Sequence, residues 1–183
     1  MAFDSFIRFT GGTATTITGE STDQTYAGTF EISEFSFGAE NTLNITSAKT
    51  GAGAGKATFK EFKVKKQTDK ASPALLQTLG LGDHYSMVQL YIRKSGGGAQ
   101  AGASGKAYLV FAFGMVAVKS IDWSGSTGDD VPTEEVVFEF GEIFIGYYQQ
   151  QATGNLTPIT PGGWSKLLNT KSPTMVTAGD VNN

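Results

Sequence analysis

Two segments, residues 107–118 and 136–148, carry apolar side chains at a spacing of two on both phases, and no other feature restricts the fold as much. In the first, Tyr108, Val110, Val116 and Val118 alternate with Leu109, Phe111, Phe113 and Met115. In the second, Val136, Phe138 and Phe140 stand on one phase and Ile143, Ile145 and Tyr147 on the other. A period of two is a strand signal, and a strand apolar on both faces needs cover on each. The one compact helix signal has Ser72 as N-cap, Pro73 at the first helical position, Leu75, Leu76 and Leu79 on one side, and Gly80 as terminator. At ~1.5 Å of rise per residue such a helix is too short to shield two long strands. The expectation is a mainly β chain in which a neighbouring subunit supplies the missing cover.

Other strand signals are shorter. Phe3, Ser5, Ile7 and Phe9 alternate with Ala2, Asp4, Phe6 and Arg8, which reads as a strand with one better-buried face, and residues 85–93 place Val88, Leu90 and Ile92 on one face. Between Ile32 and Phe35 the apolar phase changes, which predicts a bulge or bend near Ser33 and Glu34; a similar step separates Phe59 from Phe62. Residues 41–55 are polar, small and Gly/Ala-rich, too long for a hairpin turn, and are expected to form an extended loop. Residues 96–105 read as a flexible Gly/Ala loop. Beyond Gln151 the chain turns polar, with an anchoring patch at Trp164, Leu167 and Leu168 and a frayed end from about Lys171.

Composition excludes several function classes. The 183 residues include no cysteine and a single histidine, His84, so thiolate chemistry, disulfides and a nitrogen- or sulfur-based metal site have no material to be built from. No cofactor is expected. A net charge of -3 argues against nucleic acid as the main partner, because phosphate neutralisation needs a basic surface. The lysines at 56, 60, 63, 65, 66 and 70 are read as a solvated strand face or a charged edge. Asp129, Asp130, Glu134 and Glu135 are read as solvated charge in a loop, since their spacing matches no calcium site. The stretch from Gly51 to Lys56 imitates a phosphate-binding loop, but Thr50 replaces its first glycine and Ala57 its hydroxyl residue. Gly96, Gly98 and Ala101 imitate a dinucleotide fingerprint without its strand-to-helix context. No Gly-x-Ser-x-Gly elbow accompanies His84. The first residues lack the basic and apolar segments of a secretory signal, and the longest apolar run falls short of the ~20 residues a helical membrane span needs.

Several blocks, taken in order, resemble the haemolysin-coregulated protein (Hcp) family of type VI secretion systems. They are Gly19-Glu20-Ser21 with Asp23, Phe35-Ser36-Phe37-Gly38, Gly53-Ala54-Gly55-Lys56, the run Thr68-Asp69-Lys70-Ala71-Ser72-Pro73-Ala74-Leu75, and His84-Tyr85. Ile92-Arg93-Lys94 with Gly96-Gly97, Tyr108-Leu109, Pro132-Thr133-Glu134 and Gly163-Trp164 continue the series. The resemblance implies a compact β-barrel of two packed antiparallel sheets with one short flanking α-helix, spanning residues 1–168 and followed by a flexible tail at 169–183. It implies homohexameric rings that stack into a tube, enclosed by a contractile sheath, tipped by a spike and able to carry effector proteins in the lumen. It also implies folding in the cytoplasm, then secretion through the apparatus without a signal peptide. The family loop that reaches from ring to ring corresponds to Asn41, Thr42, Leu43, Asn44, Ile45, Gly51, Gly53 and Gly55. Leu109, Phe111, Phe113, Ile143, Ile145 and Tyr147 are the candidate lateral interface. No catalytic, metal or cofactor residue is expected, and no membrane insertion. A secreted effector enzyme would need a nucleophile or paired carboxylates, and a membrane barrel would need a polar lumen face; neither pattern is present in the sequence.

Overall fold

The computed structural model describes residues 3–12, 17–44, 53–94, 105–151, 156–158 and 161–171. Strand β1 (Phe3–Gly12) pairs antiparallel with β7 (His84–Lys94), β7 with β8 (Leu109–Ser124), β8 with β9 (Thr133–Gln150), and β9 with β6 (Phe62–Gln67). The segment after Tyr26 closes the barrel. Its first half, β2 (Phe30–Glu31), lies on β1, and its second half, β3 (Glu34–Ser36), lies on β6. At the break between them the Ile32 N–H donates to Ser5 O (3.2 Å) and the Ser33 N–H to Lys65 O (2.9 Å), one to each flanking strand. The phase change in the sequence is this bend: Phe30 and Ile32 point inward before it, and Phe35 and Phe37 pack on the core after it. Short strands β10 (Leu156–Pro158) and β11 (Gly162–Ser165) add to β9.

The interior is aromatic. Phe62 stacks on Phe113 with centroids 4.3 Å apart, and Phe9 meets Phe30 and Tyr85 edge-on. Helix α1 (Ser72–Leu81) plugs one end with Leu75 and Thr78, whose hydroxyl lies 2.7 Å from that of Tyr85. Its boundaries differ from the expected ones. Ala71 occupies the N-cap, because the Ser72 hydroxyl is drawn into contacts with Asp69 and Lys66, and the helix ends on Gly82 at φ 64° instead of Gly80.

The expectation that a neighbouring subunit supplies the second cover of β8 and β9 is corrected on two counts. A second apolar cluster on the outer face of the sheet, with Tyr26 stacked on Phe6 at 4.7 Å beside Tyr91, Val110, Ala112, Phe144 and Tyr148, covers one phase from within the chain. The other phase does not stay on one face. Phe113 and Val116 both point into the core, and so do their partners Ile143 and Phe140, because the chain turns over at Met115, which has φ 51° opposite Gly141. The β8–β9 register slips once more between Val118 and Ser120.

Candidate assembly surfaces

The described residues of the expected extended loop, 41–44 and 53–55, belong to a paired arm. Strand β4 (Ala39–Asn44) pairs with β5 (Gly53–Phe59) from Ala39↔Phe59 to Asn44↔Gly53, with a register slip between Asn41 and Leu43, and these strands join no other sheet. The small residues read as loop-forming permit close pairing: a Cβ on Gly55 would stand 2.5 Å from Thr42 O. Asn41, Thr42, Leu43, Asn44, Gly53 and Gly55 therefore lie on the arm. Ile45 and Gly51 lie outside the described residues, as does the Gly/Ala loop through residue 104. The arm leaves the barrel at Lys60, whose N–H donates to Gly38 O (2.8 Å). A cleft of about 480 Å³ opens at this root, lined by Phe37, Phe59, Lys60, Glu61 and Glu139 among others. Lys119 and Lys63 pair with Glu61, and Lys166 with Glu139. The Lys119 hydrogen bond holds the Glu61 carboxyl below its ordinary value and raises Lys119 in turn.

The six positions expected at a lateral interface divide. Register places Phe113 opposite Ile143, Phe111 opposite Ile145 and Leu109 opposite Tyr147, so all six share one sheet face. Phe113 and Ile143, at 0% and 4% exposure, belong to the chain's own core and have no surface to offer a neighbour. This corrects the expectation for those two residues. Leu109 and Phe111 are half-buried, whereas Ile145 (37%) and Tyr147 (44%) are exposed.

A polar cluster at the opposite end of β6 overturns two further expectations. Lys66, read as part of a solvated face, is 3% exposed; its ammonium lies 2.8 Å from Glu134 Oε1 and 2.8 Å from Asp69 Oδ1, and donates to Gln67 O (3.0 Å). Glu134, read as loop charge, is a buried residue of β9, and its Oε2 accepts the indole N–H of half-exposed Trp123 at 2.8 Å. Periodicity held the clue: Lys66 continues the inward phase of Phe62 and Val64, and Glu134 that of Val136 and Phe138. Opposite charges each one step beyond apolar alternation are the signature of a buried ion pair.

On the outer face the Arg93 guanidinium binds Asp23 (2.6 Å) and Asp4 (3.0 Å) and lies over the rings of Phe6 and Tyr26. Burial by itself would raise Asp23, but the Arg93 hydrogen bond and the N–H groups of Thr25 and Tyr26 outweigh it and hold the carboxyl below its ordinary range. Burial pushes the Tyr26 phenol up to about 12, although its oxygen accepts the Ala107 N–H at 2.8 Å. His84 stands exposed at the start of β7 beside Asp83, whose carboxylate accepts the His84 N–H. Among the described residues, no three His, Cys, Asp or Glu side chains group as a metal site.

The family model described as "Type VI secretion system effector, Hcp" matches residues 6–147. The Pseudomonas aeruginosa protein hcp1 is 32% identical over 84% of this chain and 88% of its own length. A solved type six secretion system protein superposes with a TM-score of 0.81 at 31% identity, covering 93% of this chain and all of that one. Hcp1 from Salmonella typhimurium, at 23% identity, a TM-score of 0.69 and coverage of 94% and 100%, shares the fold. With the family model matching most of the chain and a relative this similar over nearly its whole length, the chain belongs to the Hcp family, the tube proteins of type VI secretion systems.

Proposed function

We propose that this chain forms a hexameric ring whose copies stack into the inner tube of the secretion apparatus, with ring-to-ring contacts made by the β4–β5 arm and lateral contacts around Leu109, Phe111, Ile145 and Tyr147. The arm is the observation that carries this reading. A two-stranded ribbon is marginally stable by itself in water, and this one lends no strand to the barrel, so a neighbour completes it. Exposed Ile145 and Tyr147, continuous with half-buried Leu109 and Phe111, support a lateral apolar contact. The contractile sheath and the spike enclose and tip the tube, and effector proteins occupy its lumen. The barrel is one domain over residues 1–168 with a tail at 169–183, although the Ser165 N–H donating to Thr170 O (2.9 Å) carries its described contacts two residues further. The protein folds in the cytoplasm and leaves through the apparatus as a conduit, not an enzyme. Light scattering decides the architecture: a closed ring gives six times the 19.3 kDa chain mass, and a monomer at micromolar concentration would sink the reading.

A further inference from the structure

Lys66, Glu134 and Asp69 place three charges at the barrel rim, two of them almost fully buried. Buried ion clusters contribute little net stability but fix geometry, and this one fixes the indole of Trp123, held through its N–H by Glu134. The platform around it is equally constrained. The β8–β9 turn is closed by the Ser126 N–H on Asp129 Oδ2 (2.8 Å), and the Thr68 N–H donates to Pro132 O (2.9 Å), tying the turn to the entry of α1. A half-exposed tryptophan that has already lost its rotamer freedom is what an interface anchor requires.

We infer that Trp123 and the acidic β8–β9 turn form the docking face for the arm of a second copy of this chain. Three observations select that occupant. First, the β6–β9 register puts Phe62, next to the arm root, and Gln67, level with the Thr133 end of the turn, at opposite ends of one strand. If copies stack along β6, the arm of one faces the Trp123 end of the next. Second, the charges are complementary. Asp129 and Asp130 are exposed on the turn, and Asp122 stands nearby across from Glu135, whose other register neighbour is Lys65. Lys56 on the arm and Lys60 at its root are exposed and basic, against one exposed acid on the arm, Glu40. Third, the two faces differ, and a contact between different faces repeats without limit when the operation is a translation, which produces a tube.

The inference rests on the tube reading and is tested separately from it. Charge reversal at the turn (Asp129→Lys with Asp130→Lys) or at the arm (Lys56→Glu with Lys60→Glu) is expected to leave ring mass unchanged and to lower the sedimentable tube fraction at least about ten-fold. Combining the reversals is expected to restore tubes in electron micrographs. Trp123→Ala is expected to lose tubes to a similar extent with an unchanged circular dichroism spectrum; if that variant misfolds, the charge exchange still decides. Tubes formed normally by the turn variant, or no rescue in the combined variant, would overturn this docking face. If deletion of the arm blocks tubes while the turn variant makes them, the tube reading stands and only the docking face is lost. Native protein that forms no tubes at all overturns both.

Discussion

Phe113 and Ile145 stand two positions apart in register on one sheet face, yet their surroundings assign them opposite tasks. Phe113 is stacked on Phe62 and edge-on to Phe37 and Phe140, so Phe113→Ala leaves a cavity that costs about 3–5 kcal/mol and shows as a large fall in Tm, whatever the oligomeric state. Asp23 gives a pH signature. Its folded-state pKa is depressed, so its contribution is fully present above the ordinary value of 3.8 and is lost as the pH falls through the lower folded value. Asp23→Asn is therefore expected to lower Tm at neutral pH, with the gap to the native chain closing in a thermal melt series carried below pH 3.8. His84 has no comparable hold on the fold. Replacing it with Ala is expected to change stability by less than roughly 1 kcal/mol and to leave secretion of the protein unaltered.

At the level of elements, the arm is separable from the barrel. Deletion of residues 41–55 removes most of the arm, leaving only the pairs Ala39↔Phe59 and Glu40↔Thr58 at its root, and takes away no barrel strand, so the expected product is a folded ring, with near-native Tm, that makes no tubes under the electron microscope. Loss of the ring itself would place the arm in the lateral contact. Period and phase made much of the framework legible: β1, the inward face of β7, the bend at Ser33 and the existence of α1 all follow from side-chain alternation or capping chemistry. The arm escaped because its strands are built from small and polar residues, whose pairing leaves no apolar period to detect. Covering of β8 and β9 escaped for another reason. The residues that cover their outer phase, Phe6 and Tyr26, lie roughly eighty to a hundred and forty positions upstream, and alternation within a strand says nothing about what packs on it from afar. The turnover at Met115 also moves Val116 and Val118 off the outer phase of Val110 and onto the core face of Phe113, so a fixed parity misassigns them.

The whole molecule is a closed, self-covered barrel, so assembly must draw on what remains outside it. Because the chain buries most of its own apolar strand residues, folding is expected not to require the ring, and the two are expected to come apart under mutation. Ile145 and Tyr147 are the test positions, since both are exposed and face half-buried partners, Phe111 and Leu109, across the β8–β9 ladder. An aspartate at either site can turn its carboxylate to water in the isolated chain, where the site is about two-fifths exposed, and is expected to cost little stability. In a ring the same carboxylate is trapped in an apolar contact without a partner, at a cost of several kcal/mol. Six equivalent contacts close the proposed ring, so the penalty recurs at every joint and the assembly is expected to fall to monomers together, without a ladder of partial rings. Ile145→Asp is thus expected to elute at the mass of one chain in size-exclusion light scattering while keeping a Tm within a few degrees of native. A full-mass ring from this variant would move the lateral contact elsewhere, and a collapse of Tm would show that Ile145 belongs to the core with Phe113.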